Sequence, residues 1–244
     1  MTPALDLRDG LISGRLEEIG RVFLFASGKG GVGKSTLSAS AACLLSSRGR
    51  VGVLDLDLHG PSIPALFGIA SSSFRESREG LVPAKVDTIH VMSIDSFVRG
   101  RGLPARGARK AETMKEMMAI TNFGPLDTLV VDLPPGTGDE FLTALEMFRG
   151  KEEIVFVTQP SMLSWNVTKR ALGIAVAMKS GIAGVIQNMG RPLRQIEKDC
   201  SKMGVPVLGS IGYHGSISDR PVSRLRGSAF MRELKNVLEA ASLL

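Results

Sequence analysis

The 244-residue chain is long enough to bury one sizeable core, and a composition of 43% hydrophobic and 22% charged residues excludes a disordered, collagen-like or coiled-coil protein. Its formal net charge of +6 suits an anionic partner but does not choose among a nucleotide, a nucleic acid and a membrane surface. The charged start at Asp6, Arg8 and Asp9 and the lack of a membrane-length apolar run predict a cytoplasmic protein. Cys43 and Cys200 form no Cys-x-x-Cys pair, so we expect free thiols in a reducing compartment.

Apolar, β-branched runs alternate along the chain with segments of helical periodicity. Buried parallel strands are predicted at Val22–Ala26, Val51–Leu56, Ile89–Ile94, Thr128–Leu133, Ile154–Thr158, Ile182–Gln187 and Val207–Ile211. Helices are predicted between several of them, at Ser35–Ser47, Ala111–Ile120, Phe141–Phe148, Ser164–Lys179 and Leu193–Met203. The alternation indicates an α/β fold with a doubly wound, mostly parallel β-sheet flanked by helices, in which a ligand binds beyond the carboxyl ends of the strands.

No internal repeat or domain linker is evident in the sequence. We expect an N-terminal extension over residues 1–20 and a single domain over residues 21–244. Two segments rich in Ser, Gly, Pro and Arg, Ser71–Pro83 and Arg99–Lys110, are predicted to be flexible insertions. The C-terminal stretch Ser228–Leu244 has apolar residues at helical spacing. Because its polar face is not strongly basic, a helix packed on the core is favoured over a membrane-bound one.

A glycine-rich motif directly follows the first predicted strand. Residues Gly28–Ser35 have the sequence GKGGVGKS and match the pattern G-x-x-x-x-G-K-[ST], immediately before an Ala- and Leu-rich helical segment. Glycines let backbone N–H groups curl around phosphate oxygens, and the helix N-terminus adds unpaired donors. We expect Lys34 to reach the β- and γ-phosphates of a nucleotide and Ser35 to coordinate Mg²⁺. Lys29 could add a second cation beside the phosphates.

Three aspartates are predicted at carboxyl ends of strands beside this motif. Asp55 and Asp57 are two positions apart, so both side chains can point at the site. Asp132 ends an apolar run and precedes a Pro/Gly turn, as a Walker-B-like aspartate does. Acids at these places can hold metal-bound water or orient an attacking water, which is the chemistry that phosphoryl transfer needs.

Five short motifs occur along the chain: Lys29–Thr36 (KGGVGKST), Asp55–Pro64 (DLDLHGPSIP), Asp132–Asp139 (DLPPGTGD), Val157–Ser161 (VTQPS) and Gln187–Met189 (QNM). Together they closely resemble the Mrp family, also called the ApbC type, within the MinD/ParA-like P-loop ATPases with a deviant Walker A motif. The resemblance extends from about residue 21 to the C-terminus, so residues 21–244 are expected to form a single P-loop ATPase domain.

The resemblance implies a homodimer that holds ATP and Mg²⁺ at its interface. Lys29 would reach across to the partner's nucleotide, and a trans cation of this kind could supply a large share of the rate, as an arginine finger does (roughly 10³–10⁵-fold). Asp57 would position the attacking water. The expected catalytic residues are Lys29, Lys34 and Asp57, and the expected supporters of Mg²⁺ are Ser35, Asp55 and Asp132.

Two residues are expected on the base side of the nucleotide. By the same resemblance, Asn188 would contact adenine. Tyr213 could lie near the purine, although Ile211–Gly215 replaces a Pro- and Asp-containing stretch of the family. The nucleotide-binding residues expected in all are Gly28, Lys29, Gly30, Gly31, Val32, Gly33, Lys34, Ser35, Thr36, Asn188 and Tyr213.

Members of the resembled family act in iron–sulfur cluster assembly, and many bridge a cluster across the dimer through a Cys-x-x-Cys pair shortly after the Asn-Met motif. Here the chain runs from Met189 to Pro206 without that pair, and Cys200 falls in a predicted helix. Two Cys200 residues, one from each protomer, would not supply the four thiolates that such clusters take. We therefore expect no stable cluster on this chain, and partners among iron–sulfur assembly proteins or a cluster-binding homologue.

Two other functions stay open at this point. A MinD/ParA-like positioning protein could bind DNA or membrane in its ATP state through Arg99, Arg101, Arg106, Arg109 and Lys110. The GPSIP and PPGTG segments favour the Mrp type, and we expect neither nucleic acid nor membrane as a partner. A nucleotide-regulated scaffold with negligible turnover is the other alternative.

Overall fold

The computed structural model describes residues 6–57, 60, 62–69, 74–101, 110–217 and 220–244, without the side chains of residues 98–101. Its strands are β1 (Ile19–Ala26), β2 (Val51–Asp55), β3 (Arg75–Ser77), β4 (Gly80–Val82), β5 (Ala84–Val86), β6 (Ile89–Ser93), β7 (Leu126–Asp132), β8 (Glu152–Thr158), β9 (Ile182–Asn188) and β10 (Val207–Ile211). Its helices are α1 (Leu7–Glu17), α2 (Lys34–Leu45), α3 (Ile63–Phe67), α4 (Ile94–Arg101), α5 (Lys110–Ile120), α6 (Asp139–Met147), α7 (Met162–Ala177), α8 (Arg194–Lys202) and α9 (Ala229–Ala240).

Eight strands form one sheet in the order β10-β9-β8-β1-β7-β2-β6-β5. Neighbouring strands are parallel, except that the edge strand β5 runs antiparallel to β6. Strand β1 lies in the interior of the sheet between β8 and β7, so the loop that leaves its carboxyl end opens where doubly wound sheets bind ligands. The predicted doubly wound, mostly parallel sheet is therefore confirmed.

Two hydrophobic layers cover the sheet because successive strand residues point to opposite faces. On β1, Leu24 packs in the layer that includes buried residues of α1, α5, α6, α7 and α8, whereas Phe25 packs in the layer that includes α2, α3 and α9. Both side chains are fully buried. Since both faces are covered, the strands carry near-continuous apolar runs, which is why the sequence predicted them well.

The predicted strands and helices are all present, with ends shifted by a few residues. Strand β1 begins at Ile19 rather than Val22, and β10 has the predicted bounds. The antiparallel strand β5 and the helices α1, α3 and α4 were not predicted. These elements are short or lack a clear period, so contacts with the rest of the fold decide their structure.

Ser71–Pro83, predicted to be a flexible insertion, contains regular structure where it is described. Strands β3 and β4 pair as an antiparallel hairpin. The carbonyl of Leu81 accepts a hydrogen bond of 2.7 Å from the Asn122 N–H, which ties the hairpin to the segment after α5. The prediction was wrong because local composition cannot show a contact with a distant part of the chain. Residues 71–73 lie outside the described part.

The other predicted insertion, Arg99–Lys110, is described only at its two ends. Helix α4 reaches Arg101 and α5 begins at Lys110, while residues 102–109 lie outside the described part. Helix α1 packs against α5 and buries Ile12 and Leu16. The division of the chain into an extension over residues 1–20 and a domain over residues 21–244 stays a prediction.

Helix α9 is the core-packing helix that the C-terminal pattern favoured. Its apolar residues Phe230, Leu234 and Leu238 are buried against the layer that contains α2. Within the described ranges, no helix is long and apolar enough to cross a bilayer.

Candidate functional site

The glycine-rich loop joins β1 to α2 at the carboxyl edge of the sheet. Gly31 and Gly33 have φ angles of +76° and +82°. Because a Cβ is unfavourable in this left-handed region, glycine suits both positions. The loop surrounds a cavity of about 370 Å³. The cavity is lined by Ser27, Lys29, Gly30, Gly31, Val32, Gly33, Lys34, Ser35, Thr36, Asp57, Gly60, Ser62 and Pro135.

Gly28 does not line that cavity but lies against the backbone of α7. Its N–H donates to Thr168 Oγ1 at 3.3 Å. A Cβ at position 28 would lie 2.3 Å from Thr168 N and 2.4 Å from Val167 C, which leaves room for no side chain. Gly28 therefore sets the distance between the loop and α7. Its predicted contact with the nucleotide stays a prediction.

Lys34, the first residue of α2, lies at the cavity wall beside the end of β7. Its Nζ is 2.8 Å from Asp132 Oδ1, and the two side chains are 6% and 0% exposed. The angles of this contact are not those of a hydrogen bond, and Nζ has no hydrogen-bond partner among the described residues. An ammonium group has three N–H donors, so those not directed at Asp132 are available to phosphate oxygens.

Two hydroxyls of α2 also hold Asp132. Ser35 Oγ donates to Asp132 Oδ2 at 2.5 Å, and Ser38 Oγ donates to Oδ1 at 3.0 Å. Asp132 thus accepts from two serines and pairs with a lysine on the first turns of one helix. Ser38 was not predicted as a site residue, although its spacing of three residues from Ser35 places both on one helix face.

Asp55 ends β2 directly opposite Asp132 in the register of β2 and β7. Its Oδ1 accepts from the Asp57 N–H at 3.0 Å, and its Oδ2 accepts from Ser93 Oγ at 3.0 Å. Complete burial raises the pKa of Asp55 well above its usual value, and the charge of Asp132 raises this pKa further. The structure thus brings two carboxyls together at the floor of the site.

Asp57 and Lys29 both line the cavity. Asp57 as a whole residue is 7% exposed. Its carboxylate oxygen Oδ1 accepts a hydrogen bond of 3.2 Å from the Gly60 N–H. This bond holds the carboxylate near the start of the chain segment that leads to α3. Lys29 is half-buried, and the hydroxyl of Ser27 donates to its carbonyl oxygen at 3.0 Å.

Asn188 ends β9 beside the same loop. Its Nδ2 donates to the Val32 carbonyl at 2.8 Å, and a Cβ at Gly33 would lie 2.4 Å from this nitrogen. A second hollow of about 50 Å³ lies next to Asn188, and its lining includes Thr36 and Tyr213. Both predicted base-side residues thus lie at the α2 end of the loop.

Gln159, within the VTQPS motif, was not singled out by sequence reasoning as a site residue. Its side-chain nitrogen donates to the Gly31 carbonyl at 3.4 Å and to the sulfur of Met189 at 3.5 Å. This amide therefore links the glycine-rich loop to the segment after β9. The motif itself was the signal, since it begins in the last residues of β8, a strand that neighbours β1.

The two cysteines lie on opposite sides of the sheet. Cys43 of α2 is half-buried beside the layer that holds Phe25, whereas Cys200 of α8 is fully buried in the layer that holds Leu24. Burial raises the pKa of both thiols to about 11. Because the thiolate is the form that binds iron and zinc, both residues are poorly suited as metal ligands.

In the part of the chain that the structure describes, no group of three or more His, Cys, Asp and Glu side chains could hold a metal ion. Ser35, Asp55 and Asp132 supply one hydroxyl and two carboxyls, which are the hard oxygen donors that Mg²⁺ takes alongside waters and substrate phosphates. The donor set therefore fits Mg²⁺ bound together with a phosphate ligand.

The basic segment is only partly described. Arg99 and Arg101 belong to α4, while Arg106 and Arg109 lie outside the described residues. Lys110 Nζ lies 3.4 Å from Glu140 Oε1 of α6. The alternative in which these side chains bind DNA or membrane, which the sequence did not favour, is not tested by these contacts.

A family model described as ParA, NUBPL iron-transfer P-loop NTPase, matches residues 18–223. The iron–sulfur cluster carrier protein of Saccharolobus solfataricus is 34% identical over 210 residues, which cover 79% of this chain and 71% of that protein. The carrier protein of Rickettsia felis is 34% identical over 209 residues, which cover 84% and 65%. The cytosolic Fe-S cluster assembly factor CFD1 of Mycosarcoma maydis is 36% identical over 210 residues, which cover 80% and 58%. The chain thus spans about two thirds of the length of these relatives.

Solved structures share the fold. A nucleotide-binding protein of Archaeoglobus fulgidus in complex with ADP has a TM-score of 0.70 at 28% identity, with 97% of this chain and 93% of that chain covered. The septum site-determining protein MinD of Pyrococcus horikoshii, complexed with Mg-ADP, has a TM-score of 0.68 at 19% identity, with 90% and 95% covered. The second likeness concerns the fold alone.

Proposed function

We propose, since this chain belongs to the NUBPL-type iron-transfer P-loop NTPases of the ParA family, that it binds Mg-ATP and hydrolyses it slowly as a homodimer in iron–sulfur cluster assembly. The observation that carries this proposal is the buried Lys34–Asp132 pair at the wall of a glycine-lined cavity. A buried lysine whose donors face a cavity of backbone N–H groups is suited to a polyphosphate.

The phosphate side of the site would be held by the loop and the first turn of α2. Lys34 would move from its ion pair towards the β- and γ-phosphates, while Ser35 and Asp132, which now bond to each other, would support Mg²⁺ together with Asp55. Bound Mg²⁺ would neutralise charge on the phosphate oxygens. Because Asp132 already orients Ser35 and Ser38, this part of the site is preorganised.

The catalytic roles are assigned to two residues at the cavity opening. Asp57, held by the Gly60 N–H, would orient the attacking water. Lys29 would act on the nucleotide of the partner protomer, which requires a dimer with ATP at its interface. Hydrolysis is proposed to be slow because a cation supplied by the partner is absent until the dimer forms.

The adenine side would be bound by Asn188 and Tyr213. Asn188 already donates to the loop through Nδ2, which leaves its side-chain oxygen as an acceptor for an amino group of the base. Tyr213 offers an exposed aromatic face next to it.

For the iron–sulfur part, we propose that the cluster is carried by a partner and that this chain supplies the nucleotide-dependent step. The half-buried thiol of Cys43 and the buried thiol of Cys200 lie on opposite sides of the sheet, and burial raises the pKa of each to about 11. The relatives named as cluster carriers and as a cytosolic assembly factor support a role in such a pathway and a cytoplasmic location. The partner would be an assembly protein or a cluster-binding homologue.

The first test is calorimetry with Mg-ATP combined with a phosphate-release assay on the full chain. Binding and slow turnover are expected for the wild type. Lys34→Ala should lose binding, whereas Lys198→Ala, which removes an exposed lysine on α8, should not. Binding without turnover would favour the nucleotide-regulated scaffold, and no binding at all would overturn the proposal.

The second test is anaerobic reconstitution with iron and sulfide, followed by iron quantification with and without Mg-ATP. We expect no stoichiometric cluster on the isolated chain. One cluster per dimer would show that the chain is itself a carrier with unusual ligands. Duplex DNA at low salt, with and without Mg-ATP, tests the positioning alternative, since electrostatic binding is strongest there.

A further inference from the structure

The small hollow beside Asn188 adjoins the phosphate cavity. Gly33 and Thr36 line both spaces, so a ligand whose phosphates occupy the larger cavity would extend into the hollow at the N-terminal end of α2. The outer wall of the hollow is formed by Tyr213 and His214, which follow β10. This short loop is therefore placed to contact the base of a nucleotide.

Glu233 on α9 contacts the loop that follows β10 from outside the hollow. Its Oε2 accepts from the Gly212 N–H at 2.8 Å and lies 3.2 Å from His214 Nε2. These two contacts fall on either side of Tyr213. The N–H of Gly212, and then the neighbouring His214, hold the pKa of Glu233 below its usual value, so the carboxylate is the favoured form.

Helix α9, which carries Glu233, is itself packed on the core. Phe230, one turn before Glu233, is buried in the core, and its ring meets the His214 ring edge-on at 5.9 Å between centroids. Ser228 caps the helix by accepting from the Met231 N–H. The carboxylate of Glu233 is thus presented from a helix whose other face belongs to the core.

Tyr213 itself remains 74% exposed. Its ring lies over Gly215, where a Cβ would be 3.2 Å from Tyr213 Cε1. The hollow of about 50 Å³ is much smaller than the phosphate cavity of about 370 Å³, and the Tyr213 ring is part of its wall. Because this ring is exposed, it can turn and stack on a base that lies against the hollow.

We propose that Glu233 is a positioning residue for base recognition, which holds Gly212 and His214 in place while Tyr213 turns onto the base. This inference rests on the proposed nucleotide site. Because the loop is held before ligand binds, the ordering cost of base binding is reduced, and the base contributes more to affinity. Glu233 would therefore act on the base part of the ligand and not on its phosphates.

The test compares two probes, Mg-ATP and Mg-tripolyphosphate, by calorimetry on the full chain. The wild type should bind Mg-ATP more tightly. Glu233→Ala should weaken Mg-ATP about tenfold, equal to about 1.4 kcal/mol, and leave Mg-tripolyphosphate unchanged. Glu233→Gln keeps an acceptor for the Gly212 N–H and should retain most of the affinity. Glu239→Ala is the control, because Glu239 lies on the same helix and pairs with Arg48 and Lys235 at the surface.

Three results would overturn the inference: an unchanged affinity of Glu233→Ala for Mg-ATP, an equal loss for both probes, or a loss in Glu233→Gln as large as in Glu233→Ala. If Glu233→Ala does not fold, Glu233→Asp replaces it, since the shorter side chain withdraws the carboxylate from the Gly212 N–H and should show the same selective loss of Mg-ATP affinity. A wild type that binds neither probe would instead overturn the proposed function. A wild type that binds both equally would overturn this inference and the base contacts assigned to Asn188 and Tyr213, but not the proposed phosphate site.

Discussion

Asp55 and Asp132 lie opposite each other on the adjacent strands β2 and β7, with both side chains completely buried. Asp132 is paired with Lys34, whereas Asp55 accepts only from neutral groups among its described hydrogen bonds. Burial and the neighbouring carboxylate therefore make the neutral form of Asp55 more favourable in the native state than in the unfolded chain.

Asp55→Asn should raise the Tm of the nucleotide-free, Mg²⁺-free protein at neutral pH. The stabilisation from a neutral Asp55 is complete below the unfolded pKa near 3.8 and is lost as pH rises through the higher native pKa. The gain of the variant should therefore grow as pH rises. Each kcal/mol relieved would raise Tm by about 2–4 °C in a chain of this size.

Calorimetric melts between pH 5 and pH 8, as a rough working range, measure this gain. Asp139→Asn, which neutralises an exposed carboxylate in the first turn of α6, is the control and should give no such gain. A lower Tm for Asp55→Asn than for the wild type at the upper end of the range would show that the ionised carboxyl is not a source of strain.

Gly28→Ala should destabilise the protein, because the added methyl would meet backbone atoms of Val167 and Thr168 that cannot turn away. Overpacking of this kind costs about 1–3 kcal/mol, and the displaced loop should also bind Mg-ATP less tightly. Gly30→Ala, in the same loop, meets no atom within 4 Å and should leave the free energy of unfolding unchanged. Urea denaturation compares them, and equal stability of the two variants would contradict the described fit of Gly28 on α7.

Asp199→Ala should lower Tm by several degrees and change the fluorescence of Trp165. The fully buried indole N–H donates to Asp199 at 2.7 Å and would lose its acceptor. Lys169→Ala is the control, because it removes only a half-exposed partner of the same carboxylate and should have a small effect. Unaltered emission in Asp199→Ala would mean that the two side chains do not interact in solution.

The contacts of Asp199 on α8 with Trp165 and Lys169 on α7 should be sensitive to acid. The hydrogen bond from Trp165, and then that from Lys169, lower the pKa of Asp199 from 3.8 to about 2. Its stabilisation is present above pH 3.8 and is lost as pH falls towards 2. Trp165 fluorescence along an acid titration should report this loss in the wild type and not in Asp199→Ala.

Lys29→Ala should reduce the rate of ATP hydrolysis by up to about 10³-fold, because a cation would be missing from the partner's transition state. The affinity for Mg-ATP should change by no more than about threefold, since Lys34 supplies the lysine within the protomer. Phosphate release and calorimetry on the same sample separate the two effects. An equal loss of binding and hydrolysis would argue that Lys29 acts on the nucleotide of its own protomer.

The sequence allowed prediction of those features that depend on local pattern. Apolar runs buried on both faces identified the parallel strands, and the spacing of Gly28, Lys34 and Ser35 identified the loop that surrounds the cavity. Contacts between distant segments could not be predicted. Gly28 and Thr168 are 140 positions apart, and no sequence pattern in either segment predicts their contact. Glu233 was overlooked for the same reason, because its helix has an ordinary amphipathic sequence.

The sheet that stands between Cys43 and Cys200 also limits the redox chemistry of the chain. A disulfide needs Cα atoms within about 7 Å, so the two thiols cannot join within one folded molecule. Oxidation could cross-link the native protein only between molecules and through the half-buried Cys43. Air oxidation of the folded protein would therefore link two chains through Cys43, and such a covalent dimer is distinct from the proposed nucleotide-bound dimer, which requires no disulfide.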